Sequence, residues 1–216
     1  MTKNYKKINT KTLVVSIVAV FCVEAVLIIG ASTIPDNHML LLGLARLIQS
    51  GALIAVVGTF ERGPAAIGLE KHTLCRGLKK GFFWSAGFGI VALVAFGLLF
   101  MAGVDIRALV HTRLPAGPKD LLLFFLVGGI VAPMAEEIFF RGILYGFFRR
   151  WGILIAMVLS TGIFLLAHSA KGAVPVTQLA GGILFAAAYE VEGSLMVPIV
   201  IHILGNMGIF AVSLVI

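Results

Sequence analysis

Apolar runs of about 20 residues recur along most of this chain, and no other feature limits its possible folds so tightly. Wound as a helix rising about 1.5 Å per residue, such a run covers the ~30 Å hydrocarbon core of a bilayer. Of the 216 residues, 60% are hydrophobic and 12% are charged, more apolar surface than a soluble domain of this size could hide. The runs are continuous rather than alternating, so helices are expected and a barrel is not. The expected fold is all-α, a polytopic integral membrane bundle of about seven to eight transmembrane helices.

The formal charge of +7 invites a nucleic-acid reading, but the basic residues gather at the ends of the apolar runs, where they act as topology signals. Lys3, Lys6, Lys7 and Lys11 precede the first run with no acid among them, which places the N-terminus in the cytoplasm. The compact chain suits a bacterial inner (cytoplasmic) membrane. Cys22 lies in a run and Cys75 in a loop, so no disulfide framework is expected.

In order, the first span is expected from Thr12 to Ser32. It is read as retained rather than as a signal peptide, because its apolar core is long and it carries Glu24. The second runs from His38 to Phe60 with Arg46 and Gln49 inside it. Glu24 and Arg46 lie about 18 and 21 Å from the basic side, so an ion pair locking the two helices is expected. Residues 61–81 form a polar cytoplasmic loop. The third span runs from Gly81 to Val104, and a loop with Pro115, Pro118 and mixed charge (Asp105, Arg107, Arg113, Lys119) follows on the far side. A long helix from Leu121 to Arg150 then returns to the cytoplasm. The last spans are 152–168, 174–189 and 194–216, with Glu190 and Glu192 in a solvated turn between the final two. That makes seven crossings, or eight if Pro133 breaks the long helix. Residues 1–120 are thus three helices without an assigned role, and 121–216 form a second part that concentrates the unusual polar groups.

Within that part, Ala-Pro-Met-Ala-Glu-Glu-Ile-Phe-Phe-Arg-Gly (132–142) places two carboxylates and a guanidinium in the bilayer, where ionisable groups default to a functional reading. Glu137 and Arg141 are four apart and share a helix face, so they are expected to pair as structural support. Glu136 points about 100° away and is left for chemistry. Phe164 and His168 close one span, and His202 and Asn206 lie within the last, each pair one helical turn apart on a single face. Counted from shared turns, Glu136, His168, His202 and Asn206 fall about 21, 25, 14 and 20 Å from the cytoplasmic side, so three helices bring polar groups to a similar depth. As alternatives, the histidines and Asn206 could be interfacial residues or hydrogen-bonded helix glue, and Phe164 is packing that shapes the site. His38, His72 and His111 are expected to be solvated.

Glu-Glu-x-x-x-Arg, Phe-x-x-x-His and His-x-x-x-Asn, in this order on hydrophobic helices, resemble the CAAX-protease and bacteriocin-processing (type II CAAX protease-like) family over residues 121–210. The resemblance implies an intramembrane glutamic endopeptidase with no cofactor and no metal. Glu136 would be the general base on a water that His168 helps to hold, His202 and Asn206 would stabilise the oxyanion, and Glu137 with Arg141 would be structural. A carboxylate shielded from bulk water can serve as such a base, and polar donors gain strength in a dry site. The implied partners are membrane lipid and a peptide or protein substrate with a hydrophobic or lipidated segment, with no nucleic acid. The depth of the polar groups favours an exported or membrane-anchored substrate, similar to C-terminal sorting signals cut by the myxosortase-like branch.

Two other classes stay open on the sequence. A metal-dependent membrane protease could use Glu136, His168 and His202 as ligands, although His-Glu-x-x-His is absent. A non-catalytic accessory, immunity or transport protein could use the same fold, although no internal repeat of the transporter kind is seen. Oligomeric state is not written in the sequence.

Overall fold

The computed structural model describes residues 7–33, 38–168 and 176–215. Among the described residues seven helical rods follow one another: α1 (Thr10–Thr33), α2 (His38–Phe60), α3 (Leu74–Met101), α4 (Pro118–Trp151), α5 (Ile153–His168), α6 (Val176–Glu192) and α7 (Met196–Ser213). Five are long and apolar enough to cross a membrane, and α5 is a shorter apolar helix. No strand occurs among the described residues. Large apolar side chains such as Phe83, Leu93, Leu154 and Leu166 lie on the outside, where lipid rather than water must be their solvent. The protein is a polytopic α-helical bundle integral to the membrane.

Helix α4 is the axis of the bundle and packs against α1, α2, α5, α6 and α7. Gly117 precedes it, Pro118 occupies its first turn and Asp120 lies beside the positive helix end, so it starts three residues earlier than expected. It is not one regular α-helix. Val127–Val131 and Ile138–Tyr145 wind as π-helix. The first wide stretch ends just before Pro133, whose missing N–H and bulky ring would otherwise break the ladder. The rod therefore passes through Pro133, and no eighth helix is created there.

The boundaries of the other elements correct several expectations. The third helix begins at Leu74 rather than Gly81, so Arg76, Lys79 and Lys80 ride on its first turns. Basic residues mark a membrane edge without ending a helix, because long cationic side chains can reach back to the interface. The shorter connection holds two 3-10 turns, Pro64–Ile67 and Lys71–Thr73. Ile67 is buried and packs on Gly142 of α4, so this polar segment is anchored rather than solvated throughout. The expected loop at 105–120 carries a single helical turn at Arg107–Val110.

The acids between α6 and α7 also differ from expectation. Helix α6 continues to Glu192. Glu190 accepts hydrogen bonds from Tyr145 Oη at 2.7 Å and from Arg149 Nε and Nη2 at 2.9 Å each. Glu192 binds Lys80, and Trp84 Nε1 donates to it at 3.1 Å. A solvated turn was the simplest local reading, but partners distant in sequence claim both carboxylates.

The expected pair of Glu24 and Arg46 is present, and it joins α1 to α2. Gln49 completes it, accepting from Arg46 Nη1 at 2.6 Å and donating to Glu24 Oε1 at 2.8 Å. Helix α3 docks on α7 through Gly77 and Gly81. A Cβ at Gly81 would lie 2.5 Å from Val200 Cβ, and one at Gly77 would lie 2.8 Å from Met196 Cβ. Small residues spaced four apart let the two backbones approach where no hydrophobic drive exists between helices in lipid. Cys22 and Cys75 are free and exposed, and the loop around Pro35 and Asp36 lies outside the described residues.

Candidate active site

The site is built on α4 where its α-helical segment Ala132–Glu137 meets the second π stretch. Adjacent residues on a helix diverge by about 100°, so Glu136 and Glu137 enter different environments. The Glu137 and Arg141 side chains are both 0% exposed, while Glu136 keeps 19% exposure. Arg141 Nη1 donates to Glu137 Oε1 at 2.9 Å, as the spacing predicts, and Arg141 Nη2 donates to the Gly182 carbonyl on α6 at 3.2 Å. The rings of Phe164 and Phe185 lie 4.7 and 5.1 Å from the guanidinium carbon, so its faces are covered by aromatic π-systems. Glu137 Oε2 and Arg141 Nε are buried without a hydrogen-bond partner among the described residues.

His168 closes α5 and His202 lies in α7, and both present Nε2 to Glu136 Oε2, at 3.7 and 3.8 Å. Their other ring nitrogens are engaged. His168 Nδ1 lies 2.8 Å from the Phe164 carbonyl, and His202 Nδ1 lies 2.8 Å from Glu137 Oε1. A carbonyl oxygen only accepts, so His168 Nδ1 carries a proton. The same follows for His202, because the Glu137 oxygen that faces it also accepts from Arg141. With Nδ1 protonated, Nε2 of a neutral ring is an acceptor, and it donates only when the ring is an imidazolium. Both separations exceed direct hydrogen-bond length and suit a bridging water.

Aromatic packing fixes the two imidazoles. Phe164 is fully buried with its centroid 4.3 Å from the His168 ring, and Phe185 stacks on His202 at 4.6 Å and 24°. Phe164 touches both Arg141 and His168. Asn206 stands one turn beyond His202, and its Nδ2 donates at 2.9 Å to the Gly128 carbonyl in the first π stretch of α4. The structure thus groups Glu136, His168 and His202, with Asn206 tied to the backbone beside them. Among the described residues, no three His, Cys, Asp or Glu side chains form a group able to hold a metal ion.

Four contacts were invisible to the sequence reading. The hydrogen bond from His202 to Glu137 joins the Glu137–Arg141 pair to the group of Glu136, His168 and His202. The Gly182 and Gly128 carbonyls are backbone acceptors, which leave no residue signature. Phe185 is one apolar residue among many until its stacking on His202 is seen.

A partly exposed carboxylate flanked by two oriented imidazoles, inside a helical bundle, is an arrangement able to hold and polarise a water within a membrane. Residues 118–208, which carry every group just described, match the sequence model of the Type II CAAX prenyl endopeptidase Rce1-like family, so this part of the chain is similar to the CAAX-type membrane proteases. The chain is 34% identical over 95 residues to the membrane-embedded CAAX protease MroQ of Staphylococcus aureus (strain USA300). That match covers 41% of this chain and 38% of the relative. No solved structure matches the chain. Helices α1–α3 lie outside the family match.

Proposed function

We propose that this protein is a glutamate-dependent intramembrane endopeptidase that needs no metal and cuts a peptide bond in or near a hydrophobic or lipidated segment. The observation that carries the reading is Glu136 set between the Nε2 atoms of His168 and His202 at 3.7 and 3.8 Å. A water held there gives one proton to Glu136 as its oxygen attacks the scissile carbonyl carbon. His168 Nε2 accepts the second water hydrogen and orients the attack. The proton on Glu136 then passes to the leaving amine, so the C–N bond breaks to give a carboxylic acid and an amine. Of the two N–H donors on Asn206, one is held by Gly128 and the other is available to the oxyanion. His202 joins it as an imidazolium, with Glu137 as its positioning residue.

The layer towards the α4–α5 turn is closed, since Ile67, Ile143, Tyr145 and Leu195 are all fully buried. His168, at the opposite end of α5, is half-exposed. With the N-terminus in the cytoplasm of a bacterial inner membrane, the site then faces the extracytoplasmic half of the bilayer. An exported or membrane-anchored protein cut beside its hydrophobic segment, as in C-terminal sorting, is the substrate class that fits.

Cleavage of hydrophobic-tailed peptides by the protein in proteoliposomes tests this. Glu136→Gln and His168→Ala are expected to lose at least about 10²-fold in rate, and Asn206→Ala roughly 10²–10³-fold, with the fold intact. Full cleavage by Glu136→Gln would remove the general base and the reading with it.

A further inference from the structure

The two ends of the bundle treat charge differently. At the end where α1 begins, the acids are engaged. Glu61 accepts from the Asn9 N–H at 2.7 Å and from Thr12 Oγ1 at 2.6 Å, while Glu190 and Glu192 bind Arg149 and Lys80. At the end where α4 begins and α7 finishes, Arg107, Arg113 and Lys119 are exposed, and none is in an ion pair among the described residues. The nearby Asp105 spends its carboxylate on the Arg107 backbone N–H at 3.0 Å.

These cations sit on a segment that is held in place. The helical turn Arg107–Val110 packs on both α6 and α7, and Val110 is buried there. Ser213 Oγ accepts the Thr112 N–H at 3.0 Å and donates to the Ile209 carbonyl at 2.9 Å. Ser213 is on the same face of α7 as His202 and Asn206, since eleven residues make about three turns. The Phe124 ring packs on Phe210 at 4.7 Å, tilted by 55°, which brings the start of α4, and with it Lys119, to the same end of α7. The basic segment therefore lies on the outward continuation of the face that carries the proposed reaction. At 1.5 Å per residue, Ser213 is about 16 Å from His202 and about 10 Å from Asn206. An extended peptide at ~3.3 Å per residue covers that interval with about three to five residues.

We propose that the 105–119 segment is a specificity surface for the substrate, on which Arg107 and Arg113, with Lys119 beside them, hold an acidic side chain about three to five residues from the scissile bond. Cationic residues on an extracytoplasmic loop oppose the usual membrane charge bias, and recognition of an acidic peptide gives them a use. The surface serves the peptidase reading above, and its test separates the two.

Fluorescent hydrophobic-tailed peptides with one Asp at successive positions, or Asn in its place, would be bound to the Glu136→Gln protein in proteoliposomes, so that no peptide is consumed. Tighter binding of about 10-fold is expected for Asp three to five residues from the bond, falling with salt. Arg107→Glu with Arg113→Glu should reverse the preference towards Lys-bearing peptides, while binding of the Asn peptides and thermal stability stay unchanged. Equal binding of Asp and Asn peptides, or a preference that survives the charge reversal, overturns the proposal. So does loss of the preference on C-terminal amidation alone, which would assign the surface to a chain end. Cleavage by the otherwise wild-type protein is followed separately, so a failure of the peptidase reading shows there and not in the charge preference.

Discussion

Replacing Glu137 separates support of the site from its chemistry. Its Oε1 receives two charge-assisted or polar contacts inside the bundle, from Arg141 Nη1 at 2.9 Å and from His202 Nδ1 at 2.8 Å, and neither Glu137 nor Arg141 is exposed. Glu137→Met leaves the guanidinium buried without its counter-charge, a change that typically costs 3–5 kcal/mol, or roughly 6–20 °C in Tm for a protein of this size. Replacing both partners, Glu137→Met with Arg141→Met, removes the uncompensated charge, and such hydrophobic swaps are commonly neutral or stabilising by ~1–4 kcal/mol. Stability should therefore recover in the double variant. Activity should not, because the His202 imidazolium then loses the carboxylate that orients its ring and balances its charge. In hydrolases that orient a histidine through a carboxylate, removing that carboxylate's charge costs about 10⁴ in kcat. Thermal unfolding in detergent and peptide cleavage in proteoliposomes would be read on the same three variants. If the double variant is as unstable as Glu137→Met, the pair is not what the burial implies. If it is stable and fully active, Glu137 does not position His202.

Three further outcomes follow from the packing and topology. Gly81→Val should destabilise the α3–α7 contact by at least ~1–3 kcal/mol, because its Cβ alone would lie 2.5 Å from Val200 Cβ, whereas Gly97→Ala meets nothing within 4 Å and should be silent in the same unfolding assay. Glu24→Gln and Arg46→Met should be non-additive by about 0.5–3 kcal/mol in a double-mutant cycle in detergent, and strict additivity would contradict the ion pair. A maleimide that cannot cross membranes should label the exposed Cys75 only from the cytoplasmic side, and labelling in intact cells from outside would invert the orientation proposed here.

Much of this architecture could be read before any coordinates. Apolar run length fixes where helices must lie, because unpaired backbone groups are intolerable in lipid. For the same reason the intramembrane charges of Glu24, Arg46, Glu137 and Arg141 could be matched from depth and spacing alone. The grouping of Glu136, His168 and His202 was legible because polar residues are sparse on these helices. Other features were hidden for physical reasons. Residues 76–80 are basic yet helical, so charge misplaced the start of α3. The π-helical stretches of α4 depend on what packs around Pro133 and Gly129, where a Cβ would lie 2.7 Å from Met207 Cε. Glu190 and Glu192 looked solvated because their partners, at Arg149 and Lys80, are distant in sequence.

The central claim is that Glu136 activates water without a metal. Cleavage of one hydrophobic-tailed peptide in proteoliposomes, with and without prior chelation, for the wild type and for a folded Glu136→Gln variant, tests it directly. Wild-type cleavage should be unchanged by chelator, and Glu136→Gln should lose at least about 10²-fold in rate under either condition. Cleavage lost on chelation and restored by zinc, or cleavage that persists undiminished in Glu136→Gln, would contradict it.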